Sequence, residues 1–143
     1  MKDDRLKIPV EPEYISALGL AVFAFARLEW NAIICCERIQ AGSIEELMDR
    51  TAGRVADTLA SLVRTLPKSP GREKLEQAAS DFQVYARTRN NLLHAKPGMD
   101  PDGRQRLFRD GDQWTIDEIE AVADAFTGCS LRLDACLAGL LAD

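Results

Sequence analysis

Residues 87 to 97 read RTRNNLLHAKP, and this segment decides where the third of four predicted helices ends. Pro97 carries no amide hydrogen and disfavours helical backbone at the residue before it, so the helix has to end close to His94. Upstream, apolar residues recur three and four positions apart, which predicts a helix from about residue 72 to residue 95 with one buried stripe. That stripe comprises Leu75, Ala79, Phe82, Ala86 and Leu93. His94, the only histidine, is therefore expected in the last turn.

Three more segments have helical periodicity, at about residues 13–40, 43–66 and 116–142. Ser43 with Glu46, and Thr115 with Glu118, have the spacing of capping boxes at the start of the second and fourth helices. The predicted inner stripe of the first helix is Ile15, Leu18, Val22, Phe25, Ala32, Cys36 and Ile39. That of the second is Ile44, Leu47, Val55, Leu59, Leu62 and Leu66. That of the fourth is Ile116, Ile119, Ala123, Phe126, Leu133, Cys136 and Leu140.

The remaining pattern lies between the third and fourth helices. Residues from about 105 to 115 predict a small β-hairpin, because Asp110-Gly111 suits the positive backbone dihedrals of a tight turn. With 143 residues, 46% of them apolar, the chain has the size of one domain. We therefore predict an all-α fold over residues 1–143, a four-helix up-and-down bundle with the hairpin or a loop as an insertion.

The composition of the chain indicates where the protein acts and which metal or cofactor chemistry to expect. No apolar run approaches the roughly 18 residues that span a bilayer, and the start of the chain lacks a signal-type apolar core, so we expect a cytoplasmic protein with no membrane partner. The four cysteines form no Cys-x-x-Cys pair and are expected to be small buried residues. With a single histidine, we predict no metal site and no cofactor.

Charge is unevenly distributed along the chain. The net charge is −5, which disfavours nucleic acid as a partner, but residues 87 to 109 contain six basic and two acidic side chains. This segment therefore carries +4 and the remainder −9. We predict a cationic patch around His94. The alternative is a solvated cluster of surface charges that has no function.

Two charged residues occupy otherwise apolar stripes. Glu29 falls on the stripe of the first helix and Arg89 on that of the third. An isolated buried charge is costly, so we predict that Glu29 and Arg89 meet as a hydrogen-bonded pair. The role of such a pair could be purely structural, setting the register of the two helices. On an ideal helix Arg89 lies about 140° from His94. The exposed stripe of about 100° that contains His94 also holds Arg87, Asn90 and Asn91.

The spacing of Arg89, Asn90 and His94 resembles the signature of the HEPN superfamily (higher eukaryotes and prokaryotes nucleotide-binding domains). In that signature an arginine, often followed by a polar residue, precedes a histidine by four to six residues. The predicted helical bundle, with the motif late in an inner helix and one long helix after it, is similar to the family architecture over residues 13 to 142. The segment from Phe25 to Trp30 is more loosely similar to the family's first helix.

The resemblance implies a metal-independent endoribonuclease, in which a 2′-hydroxyl attacks the adjacent phosphate at the cleft of a homodimer. His94 would transfer protons, Arg89 would stabilise the phosphorane and Asn90 would orient the imidazole or the phosphate. Arg87, Asn91 and Lys96 are the candidate substrate-binding residues, and either arginine could contact the phosphate. Family members often act as toxins or defence effectors, so an antitoxin protein is a further candidate partner.

Two other interpretations remain open from the sequence. The chain could be a non-catalytic HEPN-like module that binds a nucleotide, an RNA or a protein, or it could be a purely structural dimerisation bundle. His94 could simply cap the helix, and Asn90 and Asn91 could be ordinary surface amides. Trp30 and Trp114 are expected to anchor core or loop, and we assign them no function. The RNA target is not indicated by the residues.

Overall fold

The computed structural model describes residues 3–142, which form a mostly helical domain with one small antiparallel sheet. The helices are α1 (Pro12–Ile39), α2 (Ser43–Leu47), α3 (Ala52–Val63), α4 (Pro70–Leu93) and α5 (Ile116–Ala138). A 3-10 turn, Asp4–Lys7, precedes α1. The strands β1 (Lys96–Met99), β2 (Gln105–Arg109) and β3 (Asp112–Trp114) lie between α4 and α5. The sheet follows the end of the third long helix, where the sequence predicts an insertion.

α1 and α5 run in the same direction. Hydrogen bonds along the two helices join residues at a nearly constant separation of about 100 positions. They join Tyr14 to Trp114, Asn31 to Ser130, and Arg38 to Leu141. α4 runs in the opposite direction, because its first turn lies beside the end of α5 and its last turn packs near the start of α5. The predicted up-and-down order, which would set the first and last helices antiparallel, is therefore wrong.

The reason for the different order lies in the predicted second helix, which is broken. Residues 48–51 separate α2 from α3, and the Thr51 side chain caps α3 by accepting from the Arg54 amide. Only residues 64–69 join α3 to α4, so α3 runs antiparallel to α4 and in the same direction as α1. The chain therefore has to reverse direction within residues 40–51, between α1 and α3. A single helix over 43–66 would have crossed the domain without that reversal.

The capping box predicted at the start of α2 is also absent. The Ser43 hydroxyl donates to the Gln40 carbonyl instead. The Glu37 carboxylate, from the last turns of α1, accepts from the amides of Gly42 and Ile44, each at 2.9 Å. These amide hydrogen bonds lower the pKa of the Glu37 carboxyl. The amides at this turn are therefore satisfied from the preceding helix.

The core is built around the aromatic rings of three helices. Phe25 lies 5.9 Å from Phe82 and 5.1 Å from Phe126, measured between ring centroids. The four cysteines are buried and free, as predicted. Burial raises the pKa of the Cys35 and Cys36 thiols to about 12, and such thiols stay protonated and inert at neutral pH.

Several predicted core positions are exposed. On α1 the residues buried toward α5 include Tyr14, Ala17, Ala21 and Ala24, whereas Ile15 and Val22 are 52% and 45% exposed. α1 therefore presents its small residues to α5 and leaves part of its predicted stripe in solvent. On α4 the buried residue of the last turn is Leu92, and Leu93 is 47% exposed. Leu140, beyond the last turn of α5, is exposed as well.

The sheet contains the predicted hairpin and one additional strand. Asp110 and Gly111 form the turn between β2 and β3 with φ of 53° and 85°, as the sequence indicates. β1 pairs with the other side of β2, so that Gly98 lies opposite Arg106. A Cβ at Gly98 would come within 2.8 Å of the Phe108 ring, which explains the glycine. The strand directly after His94 is therefore held against the hairpin.

Tyr14 attaches this sheet to α1. Its hydroxyl donates to the Trp114 carbonyl at 2.6 Å and accepts from the Leu107 amide at 3.0 Å. Directly after Trp114, Thr115 and Glu118 form the predicted capping box of α5. The C-terminal end of β3 is thus fixed to both α1 and α5.

Among residues 3–142, α1 is long and apolar enough to cross a membrane, judged by length and composition alone. The expectation that no segment is long and apolar enough is therefore too strong. A core helix passes the same test, and α1 packs against α3, α4 and α5. Arg27 and Glu29 also lie near its middle. This packing fits a core helix.

Candidate active site at the end of α4

The last turns of α4 bring the predicted polar residues onto one solvent-facing surface. Arg87, Asn90, Asn91 and His94 are all exposed, as is Lys96 in the first position of β1. His94 is the C-cap of α4, and its backbone N–H donates to the Asn90 carbonyl at 2.9 Å. The imidazole itself has no hydrogen-bond partner within residues 3–142. Both ring nitrogens are therefore available to a ligand from solvent.

Arg89 lies on a different face of the same helix and is half-buried. Its guanidinium carbon is 4.8 Å from the centroid of the Phe25 ring, a cation–π geometry. Its Nε is buried and has no acceptor in the part of the chain that the structure describes. Arg89 therefore retains unused hydrogen-bonding capacity at the edge of the core.

The predicted hydrogen bond between Glu29 and Arg89 does not form in the described residues. Glu29 is partly buried, and the loss of solvent raises the pKa of its carboxyl, while the charge of Arg89 acts in the opposite direction. The two side chains are thus close enough to interact through charge. Stacking on Phe25 holds the guanidinium away from the contact that a bidentate pair requires.

An apolar surface adjoins the motif. Ile15, Leu18 and Val22 follow one another on one face of α1 at helical spacing, and Ile15 and Leu18 line a cleft of about 180 Å³ together with Pro97. Leu93 is exposed on the turn after Arg89. We refer to Ile15, Leu18, Val22, Leu93 and Pro97 as the motif-side apolar surface. Exposed apolar patches of this kind commonly mark interaction sites.

The cationic patch is smaller than the sequence predicts, because the arginines of the sheet are engaged with carboxylates. Arg104 is 3.2 Å from Asp100 and 2.8 Å from Asp102. The Nε of Arg109 lies 3.8 Å from the carboxylate of Asp110, its neighbour in the turn.

Arg106 is removed from the patch altogether. Its side chain is 7% exposed and lies beneath the sheet, where one guanidinium nitrogen donates to Glu11 at 2.8 Å. The cations that face solvent near His94 without an ion pair in residues 3–142 are therefore Arg87 and Lys96, with Arg89 at the edge. Positive charge is concentrated on the motif itself.

A second cavity meets the polar stripe of α4 at Asn91, and sequence reasoning did not find it. Its open volume is about 540 Å³, and its walls come from α4, the β2–β3 hairpin and the start of α5. The lining residues are Asn91, Arg109, Asp110, Asp112, Gln113, Trp114, Thr115 and Glu118. We call this cavity the hairpin groove. No single segment of the sequence contains enough of it to reveal it.

The geometry brings together an accessible imidazole, two amides and at least two cations, which is suited to proton transfer and to binding an anion. Within residues 3–142 no three histidine, cysteine or acidic side chains converge in a metal-binding arrangement. Comparison with known family models, with curated proteins and with solved structures finds no match to this chain. Its function therefore has to be argued from its own residues.

Proposed function

We propose that the chain is a HEPN-like endoribonuclease that acts in the cytoplasm without a metal ion, with its active site at the end of α4. The observation that carries the proposal is the exposed imidazole of His94, which has no hydrogen-bond partner within residues 3–142. It shares a polar stripe of α4 with Asn90 and Arg87, while Arg89 lies on a different face of the same helix. Arg-polar-x3-His spacing on a helix is the feature that resembles the family. A helical bundle of the HEPN type is part of the same proposal.

The reaction would break the RNA backbone by internal transfer. The 2′-oxygen forms a bond to phosphorus and loses its proton to a base, while the bond from phosphorus to the 5′-oxygen breaks and that oxygen receives a proton from an acid. The products are a 2′,3′-cyclic phosphate and a 5′-hydroxyl. His94 would serve as the base or the acid, a role worth about 10² to 10⁴ in rate.

Charge stabilisation is the second requirement of this reaction. The phosphorane carries more negative charge than the starting phosphodiester, and guanidinium groups that are already positioned stabilise it. Arg89 places a half-buried guanidinium at the edge of the core for this purpose, whereas Arg87 is the exposed cation on the same face as His94. Asn90 would orient the imidazole or the phosphate, and Asn91 and Lys96 would bind the flanking backbone.

A homodimer would complete the site. Each chain has one histidine, yet the reaction benefits from both a base and an acid. Leu93 and Pro97 of the motif-side apolar surface flank His94 in the chain, and pairing two copies across a two-fold axis would bury this surface. In that arrangement Arg89 of one copy would approach His94 of the other, which the separation of about 140° around α4 disfavours within one chain.

The test is incubation of purified protein with mixed RNA in the presence of EDTA. We expect cleavage that EDTA does not suppress, fragments that end in a cyclic phosphate, and a loss of about 100-fold or more in His94→Ala. Arg54→Ala, which removes an exposed cation from α3, is the matched control and should retain activity. Activity that persists unchanged in His94→Ala would exclude the proposed site.

The second candidate is a HEPN-like module that binds a nucleotide, an RNA or a protein without turnover. The pairing of Arg104, Arg106 and Arg109 with carboxylates favours it, because fewer free cations remain to hold RNA. In the same assay, RNA binding that survives in EDTA without any cleavage would favour the non-catalytic module.

As a toxin or defence effector, the enzyme would also require an inhibitor such as an antitoxin protein. The exposed face formed by Leu20, Phe23 and Leu131 is a candidate surface for one.

A further inference from the structure

The hairpin groove has no role in the chemistry described so far, yet it shares Asn91 with the motif. We propose that this groove binds a guanine base, and that it thereby positions the adjoining phosphate of an RNA at His94. The inference deepens the proposed ribonuclease function and rests on it for the placement of the phosphate. The recognition of guanine itself depends only on the groove.

Size and rigidity make the groove suitable for a nucleobase. Its volume of about 540 Å³ lies within the range of small-molecule sites, which is roughly 300–1,000 Å³. The Trp114 carbonyl is held by the Tyr14 hydroxyl at 2.6 Å, and the Thr115 amide is held by Glu118 at 3.1 Å. The wall that β3 and the start of α5 provide is therefore fixed before a ligand arrives.

The charge of the groove excludes a phosphate as the group that enters it. Asp110, Asp112 and Glu118 outnumber the single cation, Arg109, which already lies 3.8 Å from Asp110. A phosphate would be repelled, whereas a group that presents N–H donors would be attracted. The occupant should therefore be a base, with its phosphate outside the groove near Arg87 and Lys96.

Among the RNA bases, guanine fits these side chains best. Its N1–H and N2–H donors are adjacent and parallel, so that one carboxylate accepts both, while its O6 and N7 accept from an arginine. The Asp112 carboxylate has no hydrogen-bond partner in the described range, and Glu118 uses only Oε2 for the capping box. Adenine, cytosine and uracil do not present two adjacent donors on that edge.

Two further residues link this recognition to the motif. Trp114 lines the groove and is only half-buried, so its indole can stack on a base of any type. Asn91 lies three residues before His94 on the same exposed stripe, which places the groove about one helical turn from the imidazole. A base in the groove would therefore leave its sugar and phosphate beside the catalytic side chain.

The experiment uses the two tryptophans as an internal comparison. Trp30→Phe leaves Trp114 as the sole tryptophan. Its fluorescence, excited at a wavelength that tyrosine does not absorb, is followed while this protein is titrated with GMP, AMP, CMP and UMP. We expect saturable quenching by GMP at a concentration at least ten-fold lower than for the other three. Asp112→Asn and Arg109→Ala should each remove most of that preference, whereas Asp49→Asn and Arg64→Ala, at exposed positions elsewhere, should not.

Calorimetric titration with GMP provides a second measurement that does not depend on the indole. Equal response to all four nucleotides, or no heat and no quenching with GMP, would overturn the guanine site. Saturable GMP binding by a protein that cleaves no RNA would leave the guanine site standing and remove only the nuclease. RNA cleavage with no preference for guanine at a flanking position would keep the nuclease and remove the groove from it.

Oligonucleotides distinguish a site for guanine within RNA from a site for the free nucleotide. In a protein that combines Trp30→Phe with His94→Ala, a guanine-containing tetranucleotide should bind more tightly than GMP and more tightly than its adenine counterpart. Tighter binding of free GMP than of the oligonucleotide would contradict an RNA subsite, because it would show that the neighbouring nucleotides add nothing.

Discussion

Arg106 and Arg89 each lie over an aromatic ring of α1, and they differ in how their guanidinium groups are bonded. Arg106 is 4.7 Å from the centroid of Tyr14 and donates to Glu11 and to the Gln105 carbonyl, each at 2.8 Å. Arg89 is 4.8 Å from the centroid of Phe25, with its Nε buried and unpaired within residues 3–142.

The difference separates an arginine that stabilises the fold from one that has bonding capacity to spare. Leaving a buried donor unsatisfied costs about 1–3 kcal/mol, so Arg89 is a poor choice for stability alone. The proposed function gives its guanidinium a role toward a group outside the folded chain, a phosphate or a second copy. Arg106, in contrast, joins the sheet to α1 through its contacts with Glu11 and Tyr14 and is almost fully buried.

The largest expected effect is on stability at Arg106. Arg106→Met keeps the apolar stem over Tyr14 but leaves Glu11 unpaired and removes one of the contacts between the sheet and α1, and we expect a loss of about 3 kcal/mol in the free energy of unfolding. Urea denaturation followed by circular dichroism measures this loss. A change below about 0.5 kcal/mol would show that the ion pair does not hold the sheet.

Arg89→Met should have the opposite profile. The free energy of unfolding should change by less than about 1 kcal/mol, because an unsatisfied donor is removed together with a cation–π contact. RNA cleavage should fall by about 100-fold, since a charge that stabilises the phosphorane is lost. The two measurements are made on the same protein preparation. Equal losses of stability in both variants would remove the distinction between these arginines.

The motif-side apolar surface gives the next prediction. Val22→Asp introduces a charge into the proposed two-fold interface and should weaken dimerisation by about 30-fold or more, the effect of an interface residue that contributes about 2 kcal/mol. Val84→Asp is the matched control, because Val84 is 47% exposed on another face of α4. Sedimentation velocity over a range of protein concentrations reports both. Dissociation in the control alone would place the interface elsewhere.

Sequence patterns that act within a few residues predicted much of this fold. The predictions that failed concern positions where contacts between different elements decide the structure. Pro97, the Asp110-Gly111 turn and the Thr115 capping box act within a few residues, and each has the predicted consequence. The inner face of α1 could not be assigned, because Ile15, Val22 and Ala21 are all apolar and only the direction of α5 decides which are buried. Glu37 displaced the predicted Ser43 cap in the same way, through a contact that the pattern of α2 does not contain.

In the candidate site, too, features set by one helix were predicted from the sequence, whereas features that depend on contacts between elements were not. The exposed stripe with Asn90, Asn91 and His94 follows from helix geometry alone, so sequence spacing was sufficient to predict it. The predicted hydrogen bond between Glu29 and Arg89 depended on the depth of two side chains in different helices, and the Arg89 guanidinium stacks on Phe25 instead. The hairpin groove requires α4, β3 and α5 together, and no periodic pattern reports such a convergence.

The smallest expected effect concerns Glu29, and it depends on pH. Burial raises the pKa of the Glu29 carboxyl above its usual 4.5, so the folded state favours the protonated form. The associated stability is present below the unfolded pKa and is lost as pH rises through the folded value. At pH 7 the buried charge is therefore a cost, and Glu29→Gln should raise the free energy of unfolding by less than about 1 kcal/mol. Near pH 4 the two proteins should be equally stable. If Glu29→Gln were instead less stable at pH 7, the attraction to Arg89 would outweigh burial, and Glu29 would be a partner that holds Arg89 in place.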